Sequence, residues 1–150
     1  MPGSKPYVVL MVDDDDDDWM LIRQAFAEEE HPCEFELDLH RLSDGKEFLE
    51  YLDHCEAEEA QGPVPDLVLL DLNMPRVDGR EALQRVKSHP ACRGIPIIVL
   101  TTSSELTDVV ECYQCGATSF IQKPQTYESL KALVHTLTNY WICTAELSGR

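Results

Sequence analysis

Short, largely β-branched apolar runs alternate along this chain with segments whose apolar positions recur at helical spacing. Tyr7-Val8-Val9-Leu10-Met11-Val12 is continuously apolar and suits a central parallel strand buried on both faces. The aspartates Asp13–Asp18 end it, and Trp19, Leu21, Ile22, Ala25 and Phe26 then predict a helix from about Asp16 to Glu30, closed by His31-Pro32. Glu34-Phe35-Glu36-Leu37-Asp38-Leu39 alternates like an edge strand with one wetter face. Ser43 is placed to cap a second helix striped by Phe48, Leu49 and Leu52, which frays into the acidic stretch Glu56–Ala60 and the turn Gly62-Pro63-Val64-Pro65.

The same alternation continues. Leu67-Val68-Leu69-Leu70 is a buried strand leading into Asp71, followed by the loop Asn73–Gly79 and a short helix marked by Ala82, Leu83 and Val86. Ile95–Leu100 leads into Thr101-Thr102-Ser103-Ser104, and Leu106, Val109, Val110 and Tyr113 carry a helix that Gly116 closes. Thr118-Ser119-Phe120-Ile121 is the fifth strand, and Tyr127, Leu130, Leu133, Val134 and Leu137 line the fifth helix. Five βα units predict an α/β fold with helices on both faces of a parallel sheet. Ligands in such folds lie beyond the strands' carboxyl ends.

Composition narrows the function. Of 150 residues, 43% are hydrophobic, enough for one full core. Twelve Lys and Arg against 28 Asp and Glu leave a net charge of −16, with no basic run, which disfavours nucleic acid and anionic lipid. Apolar runs are strand-sized, so no membrane span is expected, and Met1–Lys5 lacks a secretory hydrophobic segment. The six unevenly spaced cysteines read as reduced thiols of a cytoplasmic protein, with Cys112 and Cys115 a structural pair.

Asp13, Asp14, Asp71, Thr101 and Lys123 all follow predicted strands, so the topology alone would gather them at one rim. Close carboxylates raise one another's proton affinity unless a cation neutralises them. A hard divalent ion such as Mg²⁺ (or Mn²⁺) suits oxygen ligands from Asp14, Asp71 and the backbone carbonyl of Asn73, with Asp13 holding a metal-bound water. Asp71 is the candidate nucleophile for forming an aspartyl-phosphate. Lys123, held extended by Pro124, supplies a compact positive charge to the phosphoryl oxygens. Thr101 is free to donate to a phosphoryl oxygen, and Phe120 to rotate inward behind it.

Over about residues 5–139 these features resemble the receiver domain of two-component response regulators. The acidic pair matches Asp13-Asp14, and the phosphoacceptor matches Asp71 within Leu70-Asp71-Leu72-Asn73-Met74-Pro75-x-x-Asp78-Gly79. The switch hydroxyl and aromatic match Thr101 and Phe120, and the lysine with its cis proline matches Lys123-Pro124. The resemblance implies a flavodoxin-like (βα)5 sheet ordered 2-1-3-4-5. Val12-Asp13-Asp14-x-x-Asp17-Asp18 and Asn139-Tyr140-Trp141 look most like small stand-alone regulators, including those partnered with bacterial phytochrome kinases. Asp16 departs from the proline frequent there, and Phe120 lacks the hydroxyl of a tyrosine switch.

What the resemblance implies is a phosphoryl acceptor with slow self-dephosphorylation rather than a turnover enzyme. A histidine kinase donates to Asp71 with Mg²⁺, and modification changes a face that binds a downstream protein. Residues 1–139 form the domain, and the tail 140–150 packs on the last helix or joins a homodimer. Two other classes share parts of the pattern: an unphosphorylated pseudo-receiver that only binds a partner, and a metal-dependent phosphate-ester hydrolase.

Overall fold

The computed structural model describes residues 5–30, 34–56, 64–74, 78–103 and 105–147. In chain order they form β1 (Tyr7–Val12), α1 (Asp16–Ala27), β2 (Leu37–Leu42), α2 (Gly45–Glu56), β3 (Leu67–Leu70) and α3 (Gly79–Ser88). Then follow β4 (Ile97–Thr101), α4 (Leu106–Gln114), β5 (Ser119–Gln122) and α5 (Tyr127–Leu137), which runs on into a π-helical turn over Thr138–Ile142. All strand pairs are parallel and the sheet order is β2-β1-β3-β4-β5, the doubly wound arrangement expected.

Strand alternation sorts the core into two layers. Leu10, Val12, Val68, Leu70, Ile97 and Val99 face Phe48, Leu52, Leu83, Val86 and Cys112 of α2, α3 and α4. Val9, Met11, Leu67, Leu69, Ile98 and Leu100 face Ile22, Phe26, Leu130, Val134 and Leu137 of α1 and α5. Ile142 of the π-helical turn is buried in that second layer and Trp141 packs against it, while Tyr140 stays exposed.

Several boundaries differ from the sequence reading. α1 ends at Ala27, short of Glu30, because Glu28, Glu29 and Glu30 would crowd negative charge onto the negative end of the helix dipole. β2 covers Leu37–Leu42 rather than Glu34–Leu39, since pairing Tyr7 with Leu37 carries the same alternation three residues further. The α2 cap is Asp44, whose Oδ1 accepts the Glu47 N–H at 2.8 Å, while Ser43 Oγ donates to the Glu47 carboxylate. His31-Pro32, residues 57–60 and Gly62-Pro63 lie outside the described residues. Gly116, with φ of +106°, does close α4: its N–H reaches Tyr113 O and the Ala117 N–H reaches Cys112 O.

Cysteine chemistry also departs in part. Cys92, Cys112 and Cys115 are free thiols, and burial pushes Cys112 up to about 11, far from thiolate reactivity. Cys143 is disulfide-bonded, so not every cysteine is a reduced thiol. A half-buried position just past the π-helical turn makes it a cross-link for the end of α5 rather than a core thiol.

Candidate functional site

Strand register builds the site. Val12 pairs with Leu42 on one side and Leu70 on the other, so the next residues, Asp13 and Asp71, emerge side by side. Backbone bonds hold them there: the Asp71 N–H donates to Val12 O at 2.9 Å and the Asp13 N–H to Leu42 O at 3.1 Å. On the far side the Lys123 N–H donates to Thr101 O at 2.7 Å, fixing β5 to the end of β4. Asp13, Asp71 and Thr101 are buried, whereas Asp14 is exposed.

Glycine sets how closely the next helix can approach. A Cβ on Gly79 would lie 2.8 Å from Leu72 Cα and 3.2 Å from Asp71 O. Only a residue without that atom lets α3 start directly beneath the Asp71 strand end. Asp78 then caps α3 by accepting the Arg80 N–H at 2.9 Å.

The Lys123 ammonium is the centre of the charge. Its Nζ lies 2.8 Å from Asp13 Oδ2, 2.6 Å from Asp18 Oδ2 and 3.6 Å from Asp71 Oδ2. Burial works to lower the lysine's pKa, but the Asp13 and Asp18 contacts and the attraction of Asp13 and Asp71 reverse this and raise it. Asp13 is pushed up to about 6, chiefly by burial, against the opposing pull of Lys123 and of the Asp15 N–H bonded to its Oδ1.

Asp13, Asp14 and Asp71 each offer an oxygen to a group whose members all lie within 4.8 Å of one another. All-oxygen donors, two of the three carboxylates buried, fit a hard divalent cation. Asn73 sits beside them. Its N–H donates to Asp71 Oδ1 at 3.3 Å, and its side-chain amide donates to Thr101 Oγ1 at 3.3 Å. Thr101 Oγ1 also faces the Ser103 N–H at 3.5 Å. Phe120 is half-buried against the layer of α2, α3 and α4, and its N–H donates to the Tyr113 hydroxyl at 3.1 Å.

Three features escaped the sequence reading. Asp18 could not be told from its neighbours in an aspartate run, yet it makes the shortest contact to Lys123. Arg41 lies beyond the expected end of β2; its Nε donates to the Asp13 carbonyl at 3.2 Å and its Nη1 meets Asp16 at 2.7 Å. Arg80 binds Asp78, Asp108 and Glu111, tying the start of α3 to α4. One implied detail is corrected: the described chain has no cis peptide bond, so Lys123–Pro124 is trans. Trans is the isomer favoured by about 0.5–1 kcal/mol before proline.

A doubly wound α/β domain with an acidic cluster and a half-buried lysine at the strands' carboxyl rim fits a phosphoryl-signalling class of protein. The response regulator receiver domain model matches residues 9–135, and the chain belongs to that family. It is 37% identical over 141 residues to the probable methanogenesis regulatory protein FilR2 of Methanothrix harundinacea, covering 93% of this chain and 86% of that one. It is 32% identical to response regulator Rcp1 of Synechocystis sp., covering 97% of this chain and 95% of that one. The Mn²⁺-bound structure of Rcp1 superposes with a TM-score of 0.79 at 32% identity, over 95% of this chain and 99% of that chain. The phosphorylated cyanobacterial phytochrome response regulator RcpA gives 0.83 at 35% identity, over 96% and 99%. Receiver domains of this family take phosphoryl groups from histidine kinases onto an aspartate and bind a divalent metal at their acidic pocket. Among the described residues no helix is long and apolar enough to cross a membrane.

Proposed function

We propose that Asp71 is the phosphoacceptor and that a histidine kinase's phosphohistidine is the donor. An Asp71 oxygen attacks phosphorus, the P–N bond breaks, and the imidazole nitrogen keeps the electron pair. The observation that carries this reading is the convergence of Lys123 Nζ on Asp13 at 2.8 Å and Asp71 at 3.6 Å. Asp71 is buried at the rim, with Oδ2 toward the lysine and Oδ1 on the Asn73 N–H.

Mg²⁺ (or Mn²⁺) would be held by Asp14, Asp71 and the Asn73 carbonyl, with Asp13 contributing through water. It would offset the charge gathering between carboxylate and phosphoryl oxygens. Lys123 places a fixed positive charge against those oxygens. Thr101 donates its hydroxyl to one of them, exchanging its contact with Asn73, and Phe120 turns further inward into the space behind. The surface around α4 and β5 changes with it and selects a downstream protein.

The likeness to Rcp1 and RcpA supports a phytochrome-type kinase as donor and a cytoplasmic location. Residues 1–139 act as the receiver, and the tail from residue 140 offers the exposed Tyr140 as a contact for a homodimer. Incubation of the whole chain with Mg²⁺ and phosphoramidate tests the acceptor. One phosphoryl group, labile to base and lost in Asp71→Asn, is the expected result. Label that survives Asp71→Asn, or multiple turnover of a phosphate ester, would overturn it. Mass measurement with and without beryllofluoride tests the dimer.

A further inference from the structure

The ammonium of Lys123 is drawn away from the proposed nucleophile. Asp18, in the first turn of α1, is its shortest partner at 2.6 Å, followed by Asp13 at 2.8 Å, with Asp71 third at 3.6 Å. These first two carboxylates are not equivalent. Asp13 is 1% exposed and pinned through Oδ1 to the Asp15 N–H, so it cannot turn away. The Asp18 side chain is 33% exposed at the rim, and its own N–H is capped by Asp15, so its carboxylate is free to change partner. A cavity of about 80 Å³ bounded by Asp18, Ile22, Lys123 and Pro124 lies beside the pair and gives the lysine stem room to swing.

We propose that Asp18 is a positioning residue for phosphoryl transfer: it holds the Lys123 ammonium off Asp71 until a phosphoryl oxygen takes its place. The inference rests on Asp71 being the acceptor. A phosphoryl group brings close to two negative charges, more than the single charge of Asp18, and so outcompetes it for the ammonium. The released carboxylate, already a third exposed, returns to water at little desolvation cost. Asp18 therefore stabilises the unmodified protein selectively. Removing its charge should ease the forward step and leave Lys123 freer to engage the phosphoryl group. Asp18 acts only through Lys123, which distinguishes it from a general contributor to the acidic field.

The test uses the whole chain with Mg²⁺ and phosphoramidate. The P–N bond breaks, an O–P bond forms on Asp71, and the nitrogen leaves with the electron pair as ammonia. Initial rates of label uptake are compared by intact mass for wild type, Asp18→Asn, Asp18→Glu, Lys123→Gln and the Asp18→Asn/Lys123→Gln pair. Asp18→Asn should accelerate uptake by up to about fivefold, the range for losing a partly exposed charge pair. Asp18→Glu should return the rate toward wild type, and Asp18→Asn should change nothing in the Lys123→Gln background. A second reading is beryllofluoride affinity followed by intrinsic tryptophan fluorescence, which needs no turnover. There Asp18→Asn should tighten binding by a similar factor only when Lys123 is present. An Asp18→Asn chain that labels no faster and binds no tighter than wild type overturns the proposal, as does an equal gain without Lys123. Wild-type chain that takes no label on Asp71 sinks the acceptor reading as well, so the two failures are separable.

Discussion

The side-chain amide of Asn73 donates to Thr101 Oγ1 across 3.3 Å, joining the loop after β3 to the end of β4. Asn73 also gives its backbone N–H to Asp71, so one residue links the proposed acceptor to the proposed switch hydroxyl. Asn73→Ala removes the side-chain link and keeps the backbone. Denaturant unfolding should show a loss of about 1 kcal/mol, the usual worth of a partly buried hydrogen bond. Mn²⁺ titration should be unchanged, because the proposed ligand from this residue is its carbonyl.

Gly79 is the tightest backbone approach next to the site. In Gly79→Ala the added Cβ meets Leu72 Cα, a backbone atom that cannot swing aside as a side chain does. The Leu72 loop must shift, carrying Asp71 with it. Unfolding should report a cost of about 1–3 kcal/mol, and phosphoramidate labelling should slow more than it does in Asn73→Ala.

Asp13 gives a pH dependence whose sign follows from its burial. Its folded pKa of about 6 lies above the ordinary value of 3.8, so the folded state binds the extra proton in that window. Its contribution to metal-free stability is fully present below pH 3.8 and is lost as pH rises through about 6. Cation binding runs the other way, since the cation requires the ionised carboxylate. Mn²⁺ affinity should fall by up to about tenfold per pH unit below 6. Titrations at several pH values check this. An affinity flat from pH 5 to 7.5 would count against Asp13 as a participant.

Lys123 neutralises carboxylates that a divalent cation would also neutralise. Lys123→Met should lower metal-free stability by about 3 kcal/mol, because Asp13 and Asp71 are left buried without a partner charge. Mn²⁺ should bind the variant more tightly and restore most of the loss. Unfolding curves with and without Mn²⁺ measure both effects. Equal destabilisation in the two conditions would show that the lysine packs rather than neutralises.

Much of this was visible in one dimension. Five apolar runs, each followed by a helical stripe, require burial on both faces of a parallel sheet. The residue after each run then has to emerge at one rim, which makes Asp13, Asp71, Thr101 and Lys123 legible as a group from strand pattern alone. Local composition could not resolve the ends. Phe35, Leu37 and Leu39 alternate without a break, and only pairing with Tyr7–Val12 decides that β2 starts at Leu37 and runs on to bring Arg41 beside Asp13.

Tertiary structure also had to choose among chemically identical groups. Position after the first strand marks Asp13 and Asp14, but nothing in the rest of the aspartate run separates the cap Asp15 from the lysine partner Asp18. Helix phase and the position of β5 make that selection, because a charge contact depends on distance in space and Asp18 and Lys123 are 105 positions apart along the chain. Strand pattern thus determined where the chemistry gathers. Packing decided which oxygen meets which amine.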